Sequence, residues 1–315
     1  MKNEKNVEKS QNKYAPFALV TAIISVSTAA IFIRFAQKSI SSLTIAMYRL
    51  VFASLILLPF TIKKALKEWK SMDPKSIGLI IISAMLLALH FVSWITSLEH
   101  TNVISSVVLV TTTPIWVAAI SPWLLKEKVP NRFVLGLMIA FLGILLLNFD
   151  GALSTTRVDL GGIETNNKQA VVGNLLALAG AFCAAGYVVI GRVLRKQLST
   201  EGYVLSVYSI TGLLLLGLVV LTNGQIFISE ISELKWLLLI ALIPQVIGHS
   251  LLNWSLGVLP AHFVAISLLG EPIGSSILAI FFLKEIPTLK EMLSSIVILI
   301  GILIAITGSQ KKEEI

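Results

Sequence analysis

Arg49, His90, Gln245, His249, Asn253 and Glu271 stand inside long apolar stretches of this sequence, where a polar or ionisable group asks for a physical reason. An Arg, Lys or Asp at the centre of a membrane helix costs ~2.5–3.5 kcal/mol on insertion scales, so such groups face a cavity or a partner. Glu271 is the tenth residue of its stretch, about 14 Å deep at 1.5 Å per residue. A carboxylate there either meets a substrate or a proton, or is held in a structural pair or against backbone freed by the adjacent Pro272. Arg49 is the seventh residue of its own stretch, some 9 Å from the edge by the same rise. It reads as an anion contact or a partner of Glu271, with snorkelling to the headgroups as the alternative.

Two polar stripes accompany this pair. His90, Trp94 and Ser97 recur at helical spacing in one apolar stretch, and Gln245, His249 and Asn253 in another, so each trio lies on one helix face that lipid cannot cover. The two histidines fall at mirrored depths. Both stripes are expected to line a cavity, although a histidine bonded into a core is the ordinary reading of either one alone. Thr21, Ser25 and Thr28 form a weaker stripe, because hydroxyls bond back to their own helix. HExxH, GxSxG and Walker sequences do not occur, and Cys and His do not cluster. Metal hydrolysis, serine catalysis and ATP coupling therefore have no visible site, and no cofactor or ATPase subunit is implied. The single Cys183 lies in an apolar stretch and reads as packing.

The elements that must position these residues are set by composition. With 56% hydrophobic and 13% charged residues and a mean hydropathy of +0.87, the chain is too apolar for an ordinary soluble globule. Ten apolar segments follow, at 15–35, 43–62, 76–97, 103–125, 132–149, 171–194, 202–222, 235–256, 262–283 and 290–308, and about 20 residues suffice to cross a bilayer core. The first follows a polar tail without a small-x-small cleavage site and is expected to be a retained helix. Counting loop Lys and Arg places 17 on one face and 7 on the other, which predicts cytoplasmic termini. The formal charge of +8 thus serves topology and anionic lipid; the aromatic interleaving of a nucleic-acid surface is missing. The basic segment 63–75 around Trp69 reads as a lipid-facing or solvated loop, and Trp123 and Trp236 as interfacial anchors.

The chain also repeats itself. A shift of 158 positions lays Leu109, Pro114, Lys126, Glu127 and Pro130 on Ser267, Pro272, Lys284, Glu285 and Thr288, with Leu98 on Leu256 and Gly143 on Gly301. Five spans per half is an odd number, so the second half is expected to enter the membrane inverted, with Glu127 inside and Glu285 outside. Each proline should kink one of two equivalent helices, a matched pair of hinges. Small residues mark close helix contacts: Gly173, Ala177, Gly180, Ala184 and Gly191, Gly136 with Gly143, Ser294 with Gly301, and Gly270 with Gly274.

These residues resemble a known family. Ten spans, Pro114/Glu127 repeated as Pro272/Glu285, the Tyr48-Arg49 pair and the Gly143/Gly301 helices look like EamA-type members of the drug/metabolite transporter superfamily, over about residues 15–308. The resemblance implies an all-α polytopic membrane protein of two inverted five-helix repeats. It implies a central cavity built from the first four helices of each half, with the fifth and tenth peripheral. A bacterial cytoplasmic membrane, and commonly export of amino acids or related metabolites, are also implied. Thr113 stands where the second half has Glu271, so a carboxylate role is not duplicated.

The expected organisation is a cytoplasmic tail at 1–14, repeats at 15–149 and 170–308, an external linker at 150–169 and a second cytoplasmic tail at 309–315. The expected function is secondary active transport of a small metabolite by alternating access, driven by a substrate or proton gradient. Its site would comprise Arg49, His90, Trp94, Gln245, His249, Asn253 and Glu271, with Pro114 and Pro272 as hinges. A passive channel would need a continuous polar pore. An intramembrane enzyme would need a nucleophile and base, for which only the two histidines stand as candidates.

Overall fold

Hydroxyl residues and prolines decide where the helices of this protein break. The computed structural model describes residues 2–125, 131–148, 157–158, 164–165, 167–195, 197–228, 230–258, 267–268 and 270–310. The Lys126-Glu127 copy of the duplicated signature, most of the linker and the final lysines lie outside the described residues, as does the side chain of Trp123.

Helix α1 (Lys2–Ser27) includes the segment expected as a tail and continues, after a break at Thr28, as α2 (Ala29–Ala36). The break follows from side chains that bond back: Thr21 donates to the Phe17 carbonyl at 2.9 Å, Ser25 to Thr21 at 2.7 Å, Ser27 to Ile23 at 2.8 Å and Thr28 to Ser25 at 2.7 Å. α3 (Ser42–Lys70) starts at Ser41, whose hydroxyl accepts from the Thr44 N–H. It runs through the basic segment expected as a loop. Trp69 there donates to Ser206 Oγ at 2.6 Å, so it anchors one helix to another instead of lying free on lipid. α4 (Pro74–His100) is capped by Asp73 with Pro at its first position, where the missing N–H costs nothing.

The segment 103–125 is two helices, α5 (Val103–Val110) and α6 (Thr113–Leu125). Pro114 is the second residue of α6, so it starts a helix and does not kink a continuous one. Thr112 and Thr113 each take up a carbonyl of the preceding turn at 2.7 Å, which satisfies the backbone at the break. α7 (Asn131–Asn148) closes the first half, and a two-residue antiparallel pairing, Arg157 with Thr165 and Val158 with Glu164, lies between the halves. α8 (Asn167–Leu194) and α9 (Thr200–Leu221) follow. Next comes α10 (Ile231–Ile240), which widens at Pro244 into π turns (Ala241–His249) before α11 (Ser250–Val258). α12 (Gly270–Leu278) has Pro272 in its first turn and ends in π turns (Ala279–Leu283) stopped by Lys284 at φ 59°. α13 (Leu289–Gln310) is last.

The described residues contain 6 helical spans long and apolar enough to cross a membrane, with shorter apolar helices at Val103–Val117, Val134–Ile144 and Gly270–Leu283. This is a multi-pass helical membrane protein. Its most extensive helix contacts, α7 with α13, α4 with α8 and α3 with α9, each join one half of the chain to the other. Exchanging the halves by the 158-residue shift maps α3 with α9 and α7 with α13 onto themselves, and maps α4 with α8 onto the packing of the π segment and α11 against α1. Small residues allow this. A Cβ on Gly301 would stand 2.4 Å from the Ala140 nitrogen, and one on Gly180 3.3 Å from the His90 carbonyl. Trp236, expected at an interface, stacks on Phe35 at 4.6 Å between ring centroids and joins α10 to α2.

Candidate functional site

The helix breaks surround a cavity of about 140 Å³ to which both halves contribute. An engineered apolar cavity of about 150 Å³ admits benzene, so this conformation has room for a ligand of similar bulk. His90, Trp94, Thr113 and Pro114 line it from the first half; Tyr187, His249, Asn253 and Glu271 line it from the second.

Glu271 owes its place to the break before α12. It sits in that helix's first turn, where the unpaired N–H groups favour a negative charge, and its own N–H bonds the Leu268 carbonyl at 3.0 Å. Its carboxylate has no hydrogen bond or ion pair among the described residues. The turn beneath is braced against the break in the first span: Ser275 Oγ donates to the Ser27 carbonyl at 3.0 Å. Pro272 is buried beside Glu271 and does not line the cavity, whereas Pro114 does.

His90 is fixed by the close approach of α4 and α8. Its Nδ1 lies 2.9 Å from the Gly180 carbonyl, and since a carbonyl only accepts, Nδ1 carries the proton and Nε2 of the neutral ring is the acceptor. The Trp94 ring lies nearly parallel to it, 6.1 Å away at 8°, and Phe91 meets His249 edge-on at 5.8 Å. Across the cavity Asn253 exchanges hydrogen bonds with the Tyr187 hydroxyl, with its Nδ2 at 3.1 Å, and the same Nδ2 donates to the His249 carbonyl at 2.8 Å.

The structure separates two of the seven expected residues from this lining. Arg49 and Gln245 are fully buried, and Arg49 Nε donates to Gln245 Oε1 at 2.6 Å. The guanidinium lies over the Phe91 ring at 4.1 Å and near Trp94 at 5.7 Å. It neither snorkels nor pairs with Glu271, since no ion pair within 4.0 Å joins them among the described residues, although each lies within the other's field. Gln245 lies in the π segment with His249, but its side chain is taken up by Arg49 while His249 lines the cavity.

Four further residues belong to this region without having been singled out. Tyr187 lines the cavity, and Tyr208 and Ser250 lie beside Arg49 and Gln245. Their signal in the sequence is weak, because Tyr and Ser are common on apolar helices. Arg34, counted as a loop charge, is buried: Nη2 meets Glu285 Oε1 at 2.8 Å and Nη1 donates to the Leu98 carbonyl at 2.6 Å. Its signal was available, since it lies two residues before the end of an apolar helix. Among the described residues no three His, Cys, Asp or Glu side chains converge as a metal set.

The EamA-like transporter family model matches this chain twice, at residues 13–149 and 171–307. A Bacillus subtilis protein named Uncharacterized transporter YwfM is 25% identical over 309 residues, covering 96% of each chain. An uncharacterized transporter of Archaeoglobus fulgidus is 21% identical over 293 residues, covering 93% of this chain and 96% of its own. A solved structure titled only as a crystal structure of a protein has the same fold, with a TM-score of 0.63 at 17% identity, covering 93% of this chain and 96% of that one.

Proposed function

This chain belongs to the EamA-like transporter family, and on that premise we propose that it is a secondary active transporter working by alternating access. In this reading its ten spans form two inverted five-helix repeats, 15–149 and 170–308, with cytoplasmic termini in the cytoplasmic membrane. The cargo is a small polar metabolite, of the size and character of an amino acid or a related compound, and the direction is export.

One observation carries the reading: a cavity shared by both halves holds a carboxylate, Glu271, with no hydrogen bond or ion pair among the described residues, at the start of a broken helix. Binding sites of many secondary transporters lie at repeat interfaces beside discontinuous helices. His90, Trp94, His249 and Asn253 supply a flat apolar wall with neutral hydrogen-bonding groups, and Glu271 takes either an ammonium group or a proton. The Arg34–Glu285 pair ties the two halves together beside the start of α5, and in this reading it is the contact that must open and close on that side, while the lining residues Val110, Thr113 and Val117 extend away from it along α5 and α6.

The test is counterflow in reconstituted vesicles. Loading with an unlabelled amino-acid panel should produce saturable uptake of the matching labelled compound; flux that never saturates identifies a channel and overturns the reading. Orientation is checked separately. Single cysteines at Lys67 and Thr156 in a Cys183→Ala background should react with impermeant reagent from opposite sides.

A further inference from the structure

Arg49 is a buried cation with no ion-pair partner among the described residues, although Glu271 lies within its field. Its two terminal nitrogens, Nη1 and Nη2, are buried without a hydrogen-bond partner, and its Nε is spent on Gln245 Oε1. Around it the same deficit recurs. Gln245 Nε2, Tyr208 Oη, Ser250 Oγ and Trp94 Nε1 are each buried and make no hydrogen bond, although Tyr208 faces Ser250, Gln245 and Arg49. Every one of these groups can donate. Small rotations let Tyr208, Ser250 and Gln245 satisfy one another through their hydroxyl oxygens, so the two guanidinium nitrogens compete with those donors for the same few acceptors. Gln245 Oε1 already accepts from Nε and has one lone pair left. The Phe91 face offsets part of the charge, and a buried unpaired cation costs more than such a contact returns.

We propose that this donor cluster, held between α3, the π segment and α9, is a binding site for one small monovalent anion. The surplus is of donors and positive charge together, which calls for an acceptor-only group with a negative charge; water would answer the first need and not the second. Glu271 does not fill the role here, because it lines the cavity beyond ion-pair distance of Arg49. Trp94 touches both spaces, lining the cavity while its ring lies beside the guanidinium, so it is the side chain past which an anion would move between them. The anion is either a free inorganic ion resident behind the wall or the carboxylate of the cargo, and the second source rests on the transport reading above.

The experiment is a thermal unfolding titration of the full-length protein in nanodiscs, followed by tryptophan fluorescence. The background anion is bulky gluconate, with chloride, bromide or acetate substituted at constant ionic strength. The expected result is a saturable rise in the unfolding midpoint. Arg49→Gln should abolish it, Tyr208→Phe should raise the half-saturating concentration about tenfold, as one lost charge-assisted hydrogen bond implies, and Lys64→Gln, a surface change, should leave it intact. Saturation by halides alone assigns a resident inorganic anion; saturation by acetate, with halide competing, assigns a carboxylate subsite. If Arg49→Gln does not fold, bromide anomalous scattering beside Arg49 in crystals of the unaltered protein decides the matter. A midpoint indifferent to all three anions, or equal responses in the native protein and Tyr208→Phe, overturns the proposal. Because no flux is measured, its failure leaves the transport reading standing, and the reverse also holds.

Discussion

Arg34 Nη2 lies 2.8 Å from Glu285 Oε1, and this buried pair fastens the first half of the chain to the second. The other carboxylate oxygen accepts from the Val103 N–H at 2.8 Å, and Arg34 Nη1 donates to the Leu98 carbonyl at 2.6 Å, so the pair also secures the turn between α4 and α5. Asn102 in that turn donates to Glu291 Oε1 at 2.6 Å, adding a second tie to the far half. Both carboxylate oxygens and both terminal guanidinium nitrogens have hydrogen-bond partners, which is the condition under which a buried pair holds its place.

Removing one partner should therefore cost more than removing both. Arg34→Gln or Glu285→Gln alone leaves a buried charge, for which about 3–5 kcal/mol is typical, while the double change should recover a measurable part of the lost stability. The same single changes should admit a thiol reagent to a cysteine at Val110 from the Glu285 side, which the intact pair denies. Midpoints that simply add, or no new labelling, would mean that the pair closes nothing.

Gly301 and Ala140 set the distance between α13 and α7. Gly301→Ala would place a methyl 2.4 Å from a backbone nitrogen that cannot rotate away. The expected loss is about 1–3 kcal/mol, the usual range for overpacking. At Gly78 nothing lies within 4 Å, so Gly78→Ala should be neutral or slightly stabilising. Unfolding midpoints in detergent compare the two directly.

Pro114 and Pro272 both stand in the first turn of a helix, where an alanine N–H would be unpaired anyway. The double Pro→Ala protein should insert and keep nearly native stability, yet turn over several-fold more slowly if the helix starts move during transport. Counterflow at saturating substrate measures it. An unchanged rate assigns both prolines to packing alone.

Glu271 distinguishes proton coupling from charge balance. If the carboxyl carries the coupled proton, Glu271→Gln should abolish accumulation driven by a pH gradient and spare exchange of substrate for substrate. Because the variant keeps the size and polarity of the side chain, loss of both fluxes would point to a binding role instead. Retained pH-driven accumulation excludes the proton role.

The sequence by itself determined much of this protein. Its mean hydropathy and the lengths of its apolar runs put it in a membrane, and the matched Pro, Glu and Gly positions exposed a duplicated unit and its family, because both signals are periodic and survive without contacts. The polar positions His90, Trp94, His249, Asn253 and Glu271 were legible for a related reason: an apolar helix tolerates few such groups, so each stood out. Only tertiary structure decided which of them share a space. Gln245 parted from His249 because a buried guanidinium claimed its side chain, and Arg49 found Gln245 and two aromatic faces instead of Glu271. Arg34 looked like a loop charge until folding brought Glu285, 251 positions away, against it. Hydrophobic period and repeat register are properties of one segment at a time, whereas the partner of a buried charge depends on how two halves of the chain interlock.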